Sequence, residues 1–115
     1  MIVEDDEAFG YLIEKQLLAA GHQVTRFLSW VGVLESLEAG DGVDLLVTDL
    51  RLPAGTPNGA SLARMALARR PNLKVIYMTA FAEVADDAKA VLPAVLIKSD
   101  DASNVVSAIE DALAT

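Results

Sequence analysis

The chain has 115 residues, a single domain over 1–115, with 17 Asp and Glu against 9 Lys and Arg and a net charge of −8. So acidic a surface excludes direct nucleic-acid binding through a basic face, while 53% hydrophobic residues exclude a disordered acidic tail. Cysteine is absent, which removes disulfides, thiolate metal sites and cysteine nucleophiles and leaves a reducing cytoplasm as the natural location; no apolar run approaches the roughly 20 residues of a membrane span, so no membrane association is expected.

Five short β-type runs alternate with helical stretches, the pattern of a parallel sheet covered by helices on both faces. The first run, Ile2-Val3, is shorter than its partners: either the chain has lost its first residues or the central strand is clipped. Phe9, Leu12, Ile13, Leu17 and Ala20 then form one stripe of a helix, and Gly21 stands where a left-handed residue would end it. His22, the single histidine, falls in the loop beyond and reads as solvated surface with no role. A second strand over 23–27 alternates more than the others and looks like an edge. Val33, Leu34 and Leu37 mark a second helix before the Gly40-Asp41-Gly42 turn, and 44–48 a third strand. Leu62, Met65 and Ala66 mark a third helix, stopped by Pro71 after Arg69-Arg70, whose charges suit a helix C-terminus. A fourth strand covers 74–78. Val84, Ala88, Val91 and Leu92 support a fourth helix ended by Pro93, and 94–97 form the fifth strand. Val105, Val106, Ile109, Ala112 and Leu113 carry the last helix, with Ser103 or an Asp of Asp100-Asp101 as its cap. Three of the strands are near-continuous apolar runs, as expected for strands buried on both faces.

In an open parallel sheet, ligands bind outside the carboxyl ends of the strands, near the switch in strand order. The first strand ends in Glu4-Asp5-Asp6-Glu7, the third in Thr48-Asp49, the fourth in Thr79-Ala80 and the fifth in Lys98-Ser99. If strands one, three, four and five are neighbours, carboxylates, a hydroxyl and an ammonium meet in one crevice. Two carboxylates about 4 Å apart repel by roughly 1 kcal/mol in water and about 4 kcal/mol at an effective dielectric of 20. Three of them with one lysine leave an uncompensated negative site unless protons or a cation enter. A hard divalent ion is the simplest remedy, and Mg2+ fits best because it tolerates one or two carboxylates and keeps exchangeable waters. No EF-hand loop exists, so calcium in that form is excluded. Singly, each residue has a structural reading: an acidic helix start for Glu4 to Glu7, a turn-former for Asp49, a strand-end hydroxyl for Thr79, a solvated charge for Lys98. Those readings do not predict their joint occurrence at four strand ends.

These residues resemble the receiver domain of two-component response regulators across essentially the whole chain. The matching pieces are Val3-Glu4-Asp5-Asp6, Val47-Thr48-Asp49-Leu50-Arg51-Leu52-Pro53 followed by Asn58-Gly59, Val75-Ile76-Tyr77-Met78-Thr79-Ala80, and Leu96-Ile97-Lys98, in family order and spacing. The resemblance implies a doubly wound (βα)5, flavodoxin-like three-layer sandwich with a five-stranded parallel sheet in the order 2-1-3-4-5. It implies that Asp49 accepts a phosphoryl group from a sensor histidine kinase, a phosphotransfer protein or a small phosphodonor. Glu4, Asp5, Asp49 and the backbone carbonyl of Arg51 would hold Mg2+, Thr79 would hydrogen-bond a phosphoryl oxygen, and Lys98 would neutralise another. Such a domain is a phosphoacceptor rather than an enzyme, its own phosphorylation and autodephosphorylation being the only reactions it catalyses. The acidic run offers Glu4-Asp5 or Asp5-Asp6 as the metal pair. Glu4-Asp5 is preferred, because Val3 then ends the strand directly before it and Asp6 is free to start the helix. With no DNA-binding or enzymatic module within these residues, output would pass through another protein or a receiver-face homodimer, unless the domain is one part of a longer protein with its own effector domain.

Departures from the family pattern bear on mechanism. Ser99 stands where a cis proline usually follows the lysine; a cis bond before a non-proline costs roughly 2.5 to 4 kcal/mol, so this loop is expected to be trans and displaced, or strained. Val95 replaces the aromatic residue usual three positions before the lysine, and the loop from Pro53 to Gly59 is longer than usual by about two residues. Arg51 and Phe81 lie where family members tune phosphoryl lifetime. A haloacid-dehalogenase-type phosphatase would need an acid/base Asp at position 51, and a flavodoxin-like carrier would need a phosphate loop where Glu4 to Glu7 stand. The more serious alternative is a pseudo-receiver, an interaction module that keeps the fold without being phosphorylated.

Overall fold

The computed structural model describes residues 1–114. Five strands alternate with five helices: β1 (Ile2–Val3), α1 (Glu7–Ala19), β2 (Arg26–Phe27), α2 (Trp30–Glu38), β3 (Leu45–Asp49), α3 (Gly59–Arg69), β4 (Lys74–Thr79), α4 (Ala82–Lys89), β5 (Val95–Ile97) and α5 (Ser103–Leu113). All neighbours are parallel, in the order β2-β1-β3-β4-β5, as the resemblance implies, with β2 at an edge.

Strand side chains alternate between faces, so each central strand feeds two cores. Ile2, Leu45, Val47, Ile76 and Met78 pack with Phe9, Ile13 and Leu17 of α1 and Val105 and Ile109 of α5. On the other face Val3 and Leu46 meet Val33, Leu34 and Leu37 of α2 and Leu62 and Ala66 of α3. A third cluster joins Tyr77 and Val95 to Ala63 and Ala85. Apolar strands are therefore required in the middle of the sheet, and every residue of β3 is buried.

The ends of the elements carry most of the differences from the sequence reading. β2 is confined to Arg26–Phe27 because its only neighbour is β1, two residues long, paired as Ile2↔Arg26 and Val3↔Phe27. β3 and β4 each run one residue beyond expectation, through Asp49 and Thr79, because Asp49↔Met78 and Thr79↔Ile97 remain in register. Gly21 does end the first helical stretch with φ 91°: its N–H donates to the Leu18 carbonyl and that of His22 to Leu17, each at 3.0 Å. His22 is not simply solvated, since its Nε2 lies 3.0 Å from Glu110 Oε1. α4 stops at Lys89, and Val91, counted in its stripe, is 80% exposed in the turn before Pro93. The cap of α5 is neither Ser103 nor an aspartate but Ala102, buried in the left-handed conformation at φ 62°. Asp101 Oδ1 still accepts the Ser103 N–H at 3.0 Å, so Asp101 serves the helix start from outside the cap position. No helix among the described residues is long and apolar enough to cross a membrane.

Candidate metal and phosphoacceptor site

The sheet register assembles the strand-end residues. Val3 pairs with Thr48, so Glu4 and Asp49, the next residues along, lie beside one another. Thr79 pairs with Ile97, and the Lys98 N–H one step further donates to the Thr79 carbonyl at 2.8 Å. One ligand oxygen each from Glu4, Asp5 and Asp49 lie within 4.8 Å of one another. Glu4 and Asp49 are buried, whereas Asp5 is exposed. Lys98 Nζ sits between the two buried carboxylates, 2.6 Å from Glu4 Oε2 and 3.0 Å from Asp49 Oδ2, and 5.0 Å from the centre of the Phe9 ring.

Local structure fixes each of these groups. Glu4 Oε1 accepts the Asp6 N–H at 2.9 Å, and Asp6 is the N-cap of α1, its Oδ1 accepting from the N–H groups of Ala8 and Phe9 at 3.1 and 3.2 Å. This division of labour leaves Glu4 and Asp5, not Asp6, beside Asp49. Asp49 Oδ1 faces the Arg51 N–H at 3.4 Å. Behind Asp49, Gly59 opens α3 so close that a Cβ there would stand 2.1 Å from the Asp49 carbonyl oxygen, which is why the chain needs glycine at that point. Thr79 is buried, but its hydroxyl accepts the Phe81 N–H at 3.2 Å; it reaches Lys98 through its backbone carbonyl rather than its side chain. At the mouth, the Arg51 guanidinium lies 4.9 Å from the centre of the Phe81 ring, joining the two residues expected to govern water access.

Burial pushes the Glu4 carboxyl up to about 7, and the negative charge of Asp49 adds to this against the opposing pull of Lys98. Burial alone would lower the Lys98 ammonium, but the neighbouring Glu4 and Asp49 carboxylates outweigh it and hold Lys98 above its ordinary value. Glu4 Oε2 is buried, and its partner is the Lys98 ammonium at 2.6 Å. Three hard carboxylate donors against one ammonium suit a hard divalent cation such as Mg2+. A groove of about 720 Å³ lined by Leu17, Val24, Leu45 and Ile109 lies toward the opposite, amino ends of the strands and takes no part in this arrangement.

The peptide bonds of the described residues are all trans, as expected with Ser99 after Lys98, yet Lys98 still reaches both carboxylates. Further along, Ala102 adopts a positive φ of 62°, a conformation that is strained for a residue other than glycine.

Residues 1–110 match the family model described as the response regulator receiver domain. The chain belongs to this family. Among relatives of the receiver domain is the response regulator receiver protein CpdR of Brucella abortus, 35% identical over 85 residues that cover 74% of this chain and 68% of CpdR. The DNA-binding transcriptional regulator NtrC of Escherichia coli is 35% identical over 83 residues, 72% of this chain, and the matched segment spans only 17% of NtrC's length. The solution structure of the BeF3-activated receiver domain of NtrC superposes with a TM-score of 0.74 at 32% identity, covering 98% of this chain and 91% of that one. The present chain is thus a receiver domain of two-component systems, with an acidic group compatible with Mg2+ at its strand ends.

Two parts of this receiver site carry no signal in the sequence pattern: Phe9, absorbed into a helix stripe, whose ring lies beside Lys98, and Asn104, whose side chain holds the loop after Lys98. Asp49, Glu4, Asp5 and Lys98 come together as expected. The Thr79 hydroxyl is adjacent but turned to Phe81.

Proposed function

We propose that this receiver domain takes a phosphoryl group onto Asp49 from a sensor histidine kinase, a phosphotransfer protein or a small acyl phosphate, in the cytoplasm, and thereby switches its affinity for a protein partner. The observation that carries the reading is the Asp49 carboxylate held between the Lys98 ammonium and the Glu4–Asp5 pair. An Asp49 oxygen attacks phosphorus, an acyl-phosphate P–O bond forms, and the donor's P–N or P–O bond breaks with its electron pair leaving on the imidazole or carboxylate. Glu4, Asp5, Asp49 and the Arg51 carbonyl are the residues that would hold Mg2+. When bound, the ion supplies positive charge against the phosphoryl oxygens. Lys98 neutralises a further oxygen and orients Asp49. The Thr79 hydroxyl, which accepts the Phe81 N–H, turns to donate its own proton to a phosphoryl oxygen, which links phosphorylation to the loop that starts α4.

The match spans only 17% of NtrC, so the DNA binding in that protein's name is not carried by the matched segment; the receiver itself is acidic, and it acts on a protein partner or a second copy of the receiver. With Val95 at the position of the usual switch aromatic, the partner surface responds through Thr79 and its loop. Incubation with acetyl phosphate and Mg2+, followed by intact-mass measurement, tests the assignment. A labile gain of one phosphoryl group, absent in Asp49→Asn, is expected. Magnesium binding without that gain would establish the pseudo-receiver instead.

A further inference from the structure

Lys98 leaves the end of an edge strand into a loop that lacks the rigidity of a proline, yet its ammonium is held against two buried carboxylates. The two peptide groups on either side of it are gripped by one side chain. Asn104, the second residue of α5, accepts the Ser99 N–H on its Oδ1 at 3.1 Å and donates from its Nδ2 to the Ile97 carbonyl. A side-chain amide offers a donor and an acceptor on one rigid plane, so it can satisfy an N–H and a C=O that flank a single residue. The loop supports the grip: the Asn104 N–H lies 3.4 Å from Ser99 Oγ, the Ser99 hydroxyl donates to Asp101 Oδ1 at 3.2 Å, and Gln16 Nε2 donates to the Asp101 carbonyl at 2.8 Å. Loop, α5 and α1 are thereby tied into one unit around Lys98.

The geometry points to Asn104 as a positioning residue that fixes the backbone on both sides of Lys98 and so aims its ammonium at Asp49 and Glu4. The consequence for phosphoryl transfer rests on the phosphoacceptor reading above; the grip itself does not. A reacting group displaced by about 1 Å can cost about 10²-fold in rate, so losing the grip is felt at Asp49 although Asn104 touches no reacting atom.

The test uses the full chain with Asn104→Ala and Asn104→Asp. The aspartate keeps the acceptor for Ser99 and suits a helix N-terminus, but sets an oxygen against the Ile97 carbonyl, so it breaks half the grip in a variant expected to fold. Phosphoryl uptake from acetyl phosphate should fall about tenfold in both, Mg2+ affinity should rise but by less than in Lys98→Met, since the ammonium is displaced rather than removed, and neither substitution should slow uptake further when made in Lys98→Met, because the effect runs through Lys98. An unchanged uptake rate, or the same loss in the Lys98→Met background, overturns the proposal. The Lys98 Cε and Nζ NMR resonances of the metal-free protein give a readout independent of transfer: they should move toward surface-lysine positions in both variants. If the wild type takes up no phosphoryl group, the phosphoacceptor reading fails and these resonances alone decide the grip, unchanged positions overturning it.

Discussion

Lys98 lies within ion-pair distance of the carboxylates that a divalent cation would also use, so its charge acts in opposite directions on binding and on chemistry. Beside an Mg2+ ion the ammonium is a like charge that weakens metal binding, whereas beside a transferring phosphoryl group it is an opposite charge that lowers the barrier. Lys98→Met, which keeps an apolar side chain and removes the ammonium that lies 5.0 Å from the centre of the Phe9 ring, should therefore tighten Mg2+ binding by roughly tenfold and slow phosphoryl uptake by about 10²-fold. Calorimetric Mg2+ titration and acetyl phosphate kinetics on the same variant check both signs; parallel losses would mean that Lys98 acts on fold rather than on charge. Asp6 separates the two candidate metal pairs just as cleanly. As the N-cap of α1 it should cost about 1 kcal/mol of stability when changed to Ala, measured by urea unfolding, and leave Mg2+ affinity nearly unchanged, since its carboxylate is engaged by the Ala8 and Phe9 N–H groups and stands outside the Glu4–Asp5–Asp49 group. A loss of Mg2+ binding as large as that in Asp5→Ala would reassign the pair to Asp5-Asp6.

Elements place these residues by how closely they approach one another, and the tightest approach is α3 on the end of β3. Gly59 has no room for a Cβ, the obstacle being the Asp49 carbonyl, which is backbone and cannot swing aside. Gly59→Ala should cost at least about 2–3 kcal/mol and, because the strand end must shift, slow phosphoryl uptake as well. Gly42, in the turn before β3, is the control: it has open space around its missing Cβ and no positive φ, so Gly42→Ala should be neutral or stabilise by about 0.4–1 kcal/mol through the unfolded chain. Paired urea-unfolding curves decide the matter, and equal effects at the two glycines would contradict a packing constraint at Asp49. The same elements mark how far sequence reasoning reaches. The order of strands and helices was legible because apolar alternation and stripes are local signals, and Gly21 was legible because a left-handed helix end is nearly a glycine prerogative. The length of β2 was not, since it is set by the two-residue β1 beside it. Nor was the end of α4, where Val91 continues the spacing but is exposed, or the buried Ala102 cap, an alanine in a conformation that costs an ordinary residue roughly 1–2 kcal/mol.

For the molecule as a whole, the carboxylate excess at one end of the sheet is the part of the site most legible in the sequence, because strand-end position and residue type together specify it. What sequence could not supply is the balance of burial against pairing, which depends on distances across four strands and decides the charge state. Burial raises the Glu4 carboxyl to about 7 from an ordinary 4.5, so between those values the folded chain holds a proton that the unfolded chain releases. Stability from this source is therefore fully present below about pH 4.5 and is lost as pH rises through about 7. With Glu4 only 3% exposed, a shift of this size corresponds to an effect on the order of 2–3 kcal/mol. In metal-free protein the stability of wild type relative to Glu4→Gln should decline by that amount from pH 4.5 to 7.5, other titrating groups cancelling in the difference. Saturating Mg2+ should remove the decline, because the cation favours the ionised carboxylate and binding displaces the proton. The measurement is urea unfolding of both proteins across that range, with and without Mg2+. Parallel wild-type and variant curves in the absence of metal would show that Lys98 keeps Glu4 ionised throughout, and that Mg2+ meets a site already paired rather than one that must first give up a proton.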